Sequence, residues 1–319
     1  MADDYLWDRS GEPDPEVERL ERLLGRLRSV PPPLDLPAQK VVPMPRRGWR
    51  PNLPLRAAAA AAVLVAAAGW VVSRPVRATW AVAWQDGSSH ATRRLAAGEW
   101  LETSAAARAR LQVGTIGEVE VEPNTLLRLV STRWTDHRLA LRRGEIRARI
   151  WAPPRLFFVE TPSALATDLG CAYTLQVDDS GASLLHVSHG WVSFELAGRE
   201  SLVPEGASCV TRPGIGPGTP YYDDASERLR EALARFDFAG GGTEALDMVV
   251  AEARRRDALT LWHLLVRTTG DDRGRVYDRL AGLVEVPEGV TREAVLAGDK
   301  RVLQLWWDEL GLEEAGWWR

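Results

Sequence analysis

His186 and His189 are the closest histidine pair in the chain, three residues apart on a stretch that alternates like a β-strand. Strand residues three apart point to opposite faces, so this pair cannot close on one metal ion. Cys171 and Cys209 are the two cysteines. Both fall on expected strands of one domain and are either a disulfide or two buried free thiols, because spacing alone does not set their Cα separation. Asp178-Asp179 and Asp223-Asp224 lie in turn-like sequence and read as solvated loops, not as an acid–base dyad. Arg142, Arg143, Arg147 and Arg149 would form a solvated basic strand face, with an acidic ligand as the alternative. The sequence has no His-x-x-x-Cys-x-x-Cys cluster, Walker loop, Gly-x-Gly-x-x-Gly turn or Gly-x-Ser-x-Gly elbow. The expectation is a protein that is not an enzyme and uses no metal or cofactor.

The elements that must hold these residues follow from composition and period. A chain of 319 residues allows about two domains. Its 45% hydrophobic and 26% charged content excludes a wholly disordered polymer. A net charge of -4 argues against direct nucleic-acid binding, and two cysteines exclude a disulfide scaffold.

Residues 1–30 form a charged segment. Asp14 and Pro15 can start a helix in which Val17, Leu20, Leu23, Leu24 and Leu27 make one apolar stripe. Tyr5, Leu6 and Trp7 add apolar surface upstream, and too little chain lies nearby to cover either group. Such a segment is partly ordered or awaits a partner. Residues 31–54 read as an extended, proline-rich linker, basic near its end.

Residues 55–72, LRAAAAAAVLVAAAGWVV, have no acidic residue and one charge, Arg56, at the start. About 18 residues at 1.5 Å each cover most of a ~30 Å hydrocarbon core. A buried helix and a cleaved signal peptide are the competing readings, and a single transmembrane helix is the one adopted. Arg46, Arg47, Arg50 and Arg56 precede it, against Arg74 and Arg77 after it. That asymmetry puts the N-terminus in the cytoplasm and the rest outside the inner membrane.

Residues 78–220 alternate in short runs between turn signals and predict a domain of antiparallel strands: a sandwich, roll or solenoid. Within it Leu184 to Glu195 reads as a hairpin-like unit turning at Gly190. Beyond Tyr222 the period becomes helical. Residues 225–319 predict a small α-helical domain of helices over 225–236, 244–256, 259–267, 273–284 and 299–310. Trp262, Trp306 and Trp307 are its expected core, with Trp317 and Trp318 past the last helix.

The order of parts resembles the FecR family of membrane-bound signal-transduction regulators. LALRRGEIRARI is similar to its strand, glycine turn and strand. FFVETPSALATDLGCAYTLQV is similar to its F-V-x-T and x-x-G-T-x-F strands, and LLHVSHGWVSFE to its V-x-V-x-x-G-x-V-x-V hairpin. ESLVPEGASCV resembles the element that follows. The family's Gly-Thr is here Gly170-Cys171 and its phenylalanine is Tyr173.

The resemblance implies an exported domain that meets a periplasmic or outer-membrane protein partner, and a cytoplasmic N-terminus that engages an extracytoplasmic-function sigma factor. Partner binding would fall on Tyr5, Leu6, Trp7, Val17, Leu20, Leu23, Leu24 and Leu27. A membrane-tethered, non-enzymatic scaffold for envelope or export proteins is the alternative. The expected architecture is thus multi-domain: an all-β FecR-like domain, one transmembrane helix and a C-terminal helical domain.

Overall fold

The computed structural model describes residues 79–86 and 89–312. The expected segment 1–30, linker 31–54, span 55–72 and the pair Trp317 and Trp318 lie outside the described residues. Among those described, no helix is long and apolar enough to cross a membrane.

Strands come first. They are β1 (Thr79–Asp86), β2 (Ser89–Ala96), β3 (Trp100–Glu102), β4 (Ala107–Val113), β5 (Gly117–Val121), β6 (Leu126–Arg133), β7 (Asp136–Ile150) and β8 (Phe157–Glu160). There follow β9 (Leu165–Asp168), β10 (Ala172–Val177), β11 (Ser183–His189), β12 (Trp191–Leu196), β13 (Arg199–Pro204), β14 (Ala207–Arg212), β15 (Gly216–Pro217) and β16 (Tyr221–Tyr222). The helices are α1 (Glu227–Phe238), α2 (Gly242–Glu252), α3 (Ala258–Arg267), α4 (Gly270–Leu283), α5 (Arg292–Ala297) and α6 (Lys300–Glu309). A 3-10 turn over Arg255–Asp257 leads into α3.

The strands form two sheets that share β7. The first runs β2-β1-β4-β5-β7-β10-β11-β14, with β15 and β16 on its end. The second runs β3-β6-β7-β8-β9-β12-β13. Residues 136–143 of β7 pair in the second sheet, and residues 144–150 pair in the first. Buried positions change parity along this strand. Leu139 and Leu141 face the core before the crossing, and Ile146, Ala148 and Ile150 face it after. A strand that passes between facing sheets must flip its inner side this way, because side chains alternate with period two.

Gly144 makes the crossing, so the glycine turn expected in LALRRGEIRARI is instead a bend inside one continuous strand. Its φ is 94°, and a Cβ there would overlap the Cα and side chain of Thr125. Thr125 Oγ1 accepts from the Glu145 amide at 3.0 Å and pins the bend. The bend also explains the β7–β8 pair, parallel where the other pairings are antiparallel. A parallel return normally needs a dozen or more residues. Residues 151–156 suffice here because β7 has folded back, leaving both its ends at one end of the sandwich.

The hairpin expected about Gly190 does not form. Strand β11 pairs with β10 and β14 in the first sheet, and β12 pairs with β9 and β13 in the second. Gly190, at φ 74°, is a corner between the sheets, where a Cβ would collide with the Gly170 carbonyl oxygen.

The helical region starts at a cap, Ser226 accepting from the Leu229 amide. Its core is continuous with that of the sheets, and Trp262, Trp306 and Trp307 are buried in it. Helix α5 was not among the expected helices. It is one short turn and a half between the Thr291 cap and left-handed Gly298, too short to show a period.

Gly144→Ala is expected to cost more than about 2 kcal/mol, combining a left-handed backbone with an overlap on Thr125. Urea denaturation checks this; a loss near zero would mean the bend tolerates a side chain.

Candidate functional site

The residues expected to bind a partner, Tyr5, Leu6, Trp7, Val17, Leu20, Leu23, Leu24 and Leu27, lie outside the described residues. Within the described part, the chemically competent side chains separate into solvated pairs and two buried clusters.

The two cysteines are free, buried and separately bonded. Cys171 Sγ donates to Asp168 Oδ2 at 2.7 Å, while Cys209 Sγ donates to the Gly218 carbonyl at 3.3 Å. Cys171 adjoins β10 and Cys209 lies on β14, with β11 between them. Two strand spacings of about 4.8 Å already exceed the ~7 Å Cα limit for a bridge, so the disulfide alternative is excluded by the register. Burial raises both thiols, Cys171 well above its ordinary value and Cys209 to about 12. Neither is a ready thiolate nucleophile.

His186 Nδ1 lies 3.2 Å from Asp223 and His189 Nδ1 lies 2.9 Å from Glu205, so each histidine has its own carboxylate. No cluster of three potential metal ligands exists among the described residues. Asp178 closes a turn by accepting from the Ser180 and Ala182 amides. Asp224 receives Arg254 and Arg256 from the turn before α3. The arginine group is matched by carboxylates: Arg143 with Glu102, Arg147 with Glu122 and with Glu145 of its own strand, and Arg149 with Glu118. Arg142 is exposed. These ladders on an open sheet face contribute little individually.

The first buried cluster joins the sheets to the helices. Strand β13 ends the second sheet, and helix α3 lies along its free edge. His263 Nε2 accepts from the Leu202 amide at 3.2 Å, while its Nδ1 faces the Leu259 carbonyl at 2.9 Å. This arrangement defines one neutral tautomer, with Nδ1 as donor. One helical turn on, Arg267 donates to the Glu200 carbonyl at 3.1 Å and to Ser201 Oγ at 2.6 Å. Four residues of helix rise about 6.0 Å and two of strand about 6.6 Å, so one helix face matches the edge groups.

Asp237, with a side chain only 2% exposed, completes this cluster. It accepts from Arg199 at 2.6 Å and from the Thr219 amide at 2.7 Å, with Arg267 at 3.4 Å. Burial pulls the Arg267 guanidinium below its ordinary value, and Asp237 opposes that shift. Nearby, the Trp191 ring lies 5.8 Å from Trp307, which lies 4.4 Å from Trp262. The available signal in sequence was His263 and Arg267 four apart on a helix apolar elsewhere but for Thr260, and nothing there names the strand they serve.

The second buried cluster sits beside the Gly190 corner. Asp168, 1% exposed, accepts from the Gly170 amide at 2.8 Å and from Cys171. Burial raises its carboxyl from 3.8 to about 7, against the opposing effect of those hydrogen bonds. The Tyr173 hydroxyl is buried without a hydrogen-bond partner among the described residues, and burial raises it well above its ordinary value. Neither cluster opens an attacking atom to solvent. Their chemistry is adhesion, holding corners and edges in place.

Residues 99–193 match the family described as FecR protein. The chain carries a FecR domain. The matched stretch extends from just before β3 into β12, and so contains the β7 bend and the Gly190 corner. The β1–β2 hairpin, strand β13 and the helices lie beyond the FecR domain. Two crystal structures of a candidate anti-sigma factor from Parabacteroides distasonis are similar at TM-scores of 0.35, with 15% and 13% identity. The similarity covers 43% and 47% of this chain and 65% and 74% of those chains, just under two thirds of the first. Resemblance at that level carries no argument about the architecture or its use. No curated protein matches.

Asp168 gives a pH signature with a definite sign. A carboxyl raised from 3.8 to about 7 on folding binds its proton more tightly in the native state. Its contribution is therefore fully present below pH ~4 and is lost as pH rises towards 7, at up to about 1.4 kcal/mol for each tenfold fall in proton concentration. Urea denaturation of the native chain and of Asp168→Asn between pH 4 and 8 is expected to show a shallower fall in the variant. Equal slopes would mean that Asp168 titrates normally.

Proposed function

We propose that this protein is a single-pass inner-membrane regulator that couples an event outside the cytoplasm to a cytoplasmic sigma factor. The FecR match over residues 99–193 carries this reading. The order of a FecR-like stretch after the apolar residues 55–72 supports it, and the flanking arginines favour a cytoplasmic N-terminus. The apolar stripe of Val17, Leu20, Leu23, Leu24 and Leu27, with Tyr5, Leu6 and Trp7, is the sigma-binding element of this reading.

The sandwich and helices are then the receiving body, facing a periplasmic or outer-membrane protein. The reading needs no catalytic step. Its energetics are those of population shift: a partner that binds two states of the receiving body with different affinity biases the N-terminal segment by that difference and no more.

Detergent-solubilised full chain carrying an affinity tag is expected to retain an extracytoplasmic-function sigma factor. Leu20→Asp with Leu24→Asp, which puts charge into the stripe, is expected to reduce recovery at least tenfold, about 1.4 kcal/mol or more. Equal recovery by the variant would overturn the assignment of the stripe. Recovery of envelope proteins without any sigma factor would favour the tethered scaffold.

A further inference from the structure

The two most exposed large apolar side chains among the described residues are Trp134 at 83% and Trp151 at 62%. They are far apart in sequence yet belong to one end of the sandwich. Trp134 and Thr135 form the tight β6–β7 turn between the paired Arg133 and Asp136, and His137 follows on β7. His137 stacks on Trp80 at 5.9 Å and donates its amide to Leu156. A Cβ on Gly114 would meet the same His137 ring at 3.3 Å. Trp151 donates its amide to Ile116 and its indole N–H to the Thr115 carbonyl at 3.0 Å. The turns at 114–116, 134–135 and 151–156 therefore converge, because the β7 bend brings both ends of that strand to the same place.

The chain also arrives at this end. Thr79 opens β1, and the neighbouring Trp80 packs on His137 beside these turns. Residues 73–78 are all that separate Thr79 from the apolar stretch ending at Val72. Seven extended peptide steps span at most about 25 Å.

We propose that this end of the sandwich rests on the periplasm-facing leaflet of the membrane that residues 55–72 cross, with Trp134 and Trp151 seated at the headgroup level. The proposal builds on the anchored reading above and adds the surface that meets the lipid. Tryptophan partitions to the bilayer interface, where its ring lies in a partly apolar layer. The indole N–H of Trp151 is already bonded, so that ring carries no unmet donor into the lipid. Arg133 and Arg155 stand exposed on the same turns and supply positive charge for anionic headgroups. The far end has no exposed tryptophan in its turns. Ile215 lies in the turn after β14, and the other exposed apolar residues of that half, Leu184 and Trp100, stand on strands β11 and β3 among the described residues. A tether this short and a pair of solvent-facing tryptophans at its attachment point favour lipid over a protein partner as the occupant.

The test uses the full chain in vesicles of phosphatidylethanolamine and phosphatidylglycerol, with the photoreactive residue p-benzoylphenylalanine replacing Trp134, Trp151 or Ile215. Lipid adducts at positions 134 and 151, severalfold above those at 215, are expected. Adducts equal at all three positions, or protein adducts in place of lipid at 134 and 151, would overturn the seated face. Alkaline extraction of the same vesicles separates the two ideas. Protein retained without lipid adducts refutes only the seated face, whereas protein released refutes the anchor and the seated face together.

Discussion

A sheet that ends inside a protein leaves a row of backbone donors and acceptors that must be met. The second sheet ends at β13, and helix α3 meets that row with side chains four residues apart. His263 takes the Leu202 amide and Arg267 takes the Glu200 carbonyl, where a further strand would otherwise supply both. The match works because one helical turn and two strand residues are nearly the same length. It has a consequence for charge: Arg267 is buried by serving the edge, and Asp237 must then be buried beside it, with Arg199 and Thr219 completing the shell. The helices are thus the closure of the sheet edge.

Within the strands, the β7 bend does comparable work for topology. By passing from one sheet to the other at Gly144, a single strand joins both layers and returns its ends to one place. The short parallel β7–β8 connection, the converging turns and the position where the chain arrives at Thr79 all follow from that fold-back. Gly190 repeats the device with a sharper corner. The FecR domain contains both crossings but stops within β12, before the edge that needs the helices. The β13 edge and the helix that closes it both lie outside the matched residues.

Much of this was legible in the sequence as pattern. Period two up to Tyr222 and period three to four beyond it gave the sequence-based expectation of an antiparallel sheet region followed by a small helical region, as observed. The parity change from Leu139 and Leu141 to Ile146 and Ala148 was visible too. Parity reports that the chain reverses its inner face, and it does not say whether a turn or a crossing does so, which is why Gly144 and Gly190 read as turns. The Arg143, Arg147 and Arg149 face read as basic because, apart from Glu145 on β7 itself, its neutralising glutamates Glu102, Glu118 and Glu122 come from elsewhere in the chain. Asp168 and Asp237 gave no local signal, and the four-residue spacing of His263 and Arg267 did not name the strand they serve, since burial comes from contacts far apart in sequence. Helix α5 was missed because six residues cannot display a helical period.

A signalling role asks that the sandwich and helices respond together, and the edge contacts supply a physical reason for them to do so. The most direct test is native-state hydrogen exchange on the full chain across a urea series, comparing amides of Leu139 and Ile146 in β7 with Leu261 and Leu264 in α3. If α3 closes the sheet, both sets exchange through one opening with the same free energy and the same urea dependence. Exchange of the α3 amides through a lower-energy opening that leaves β7 protected would contradict that account.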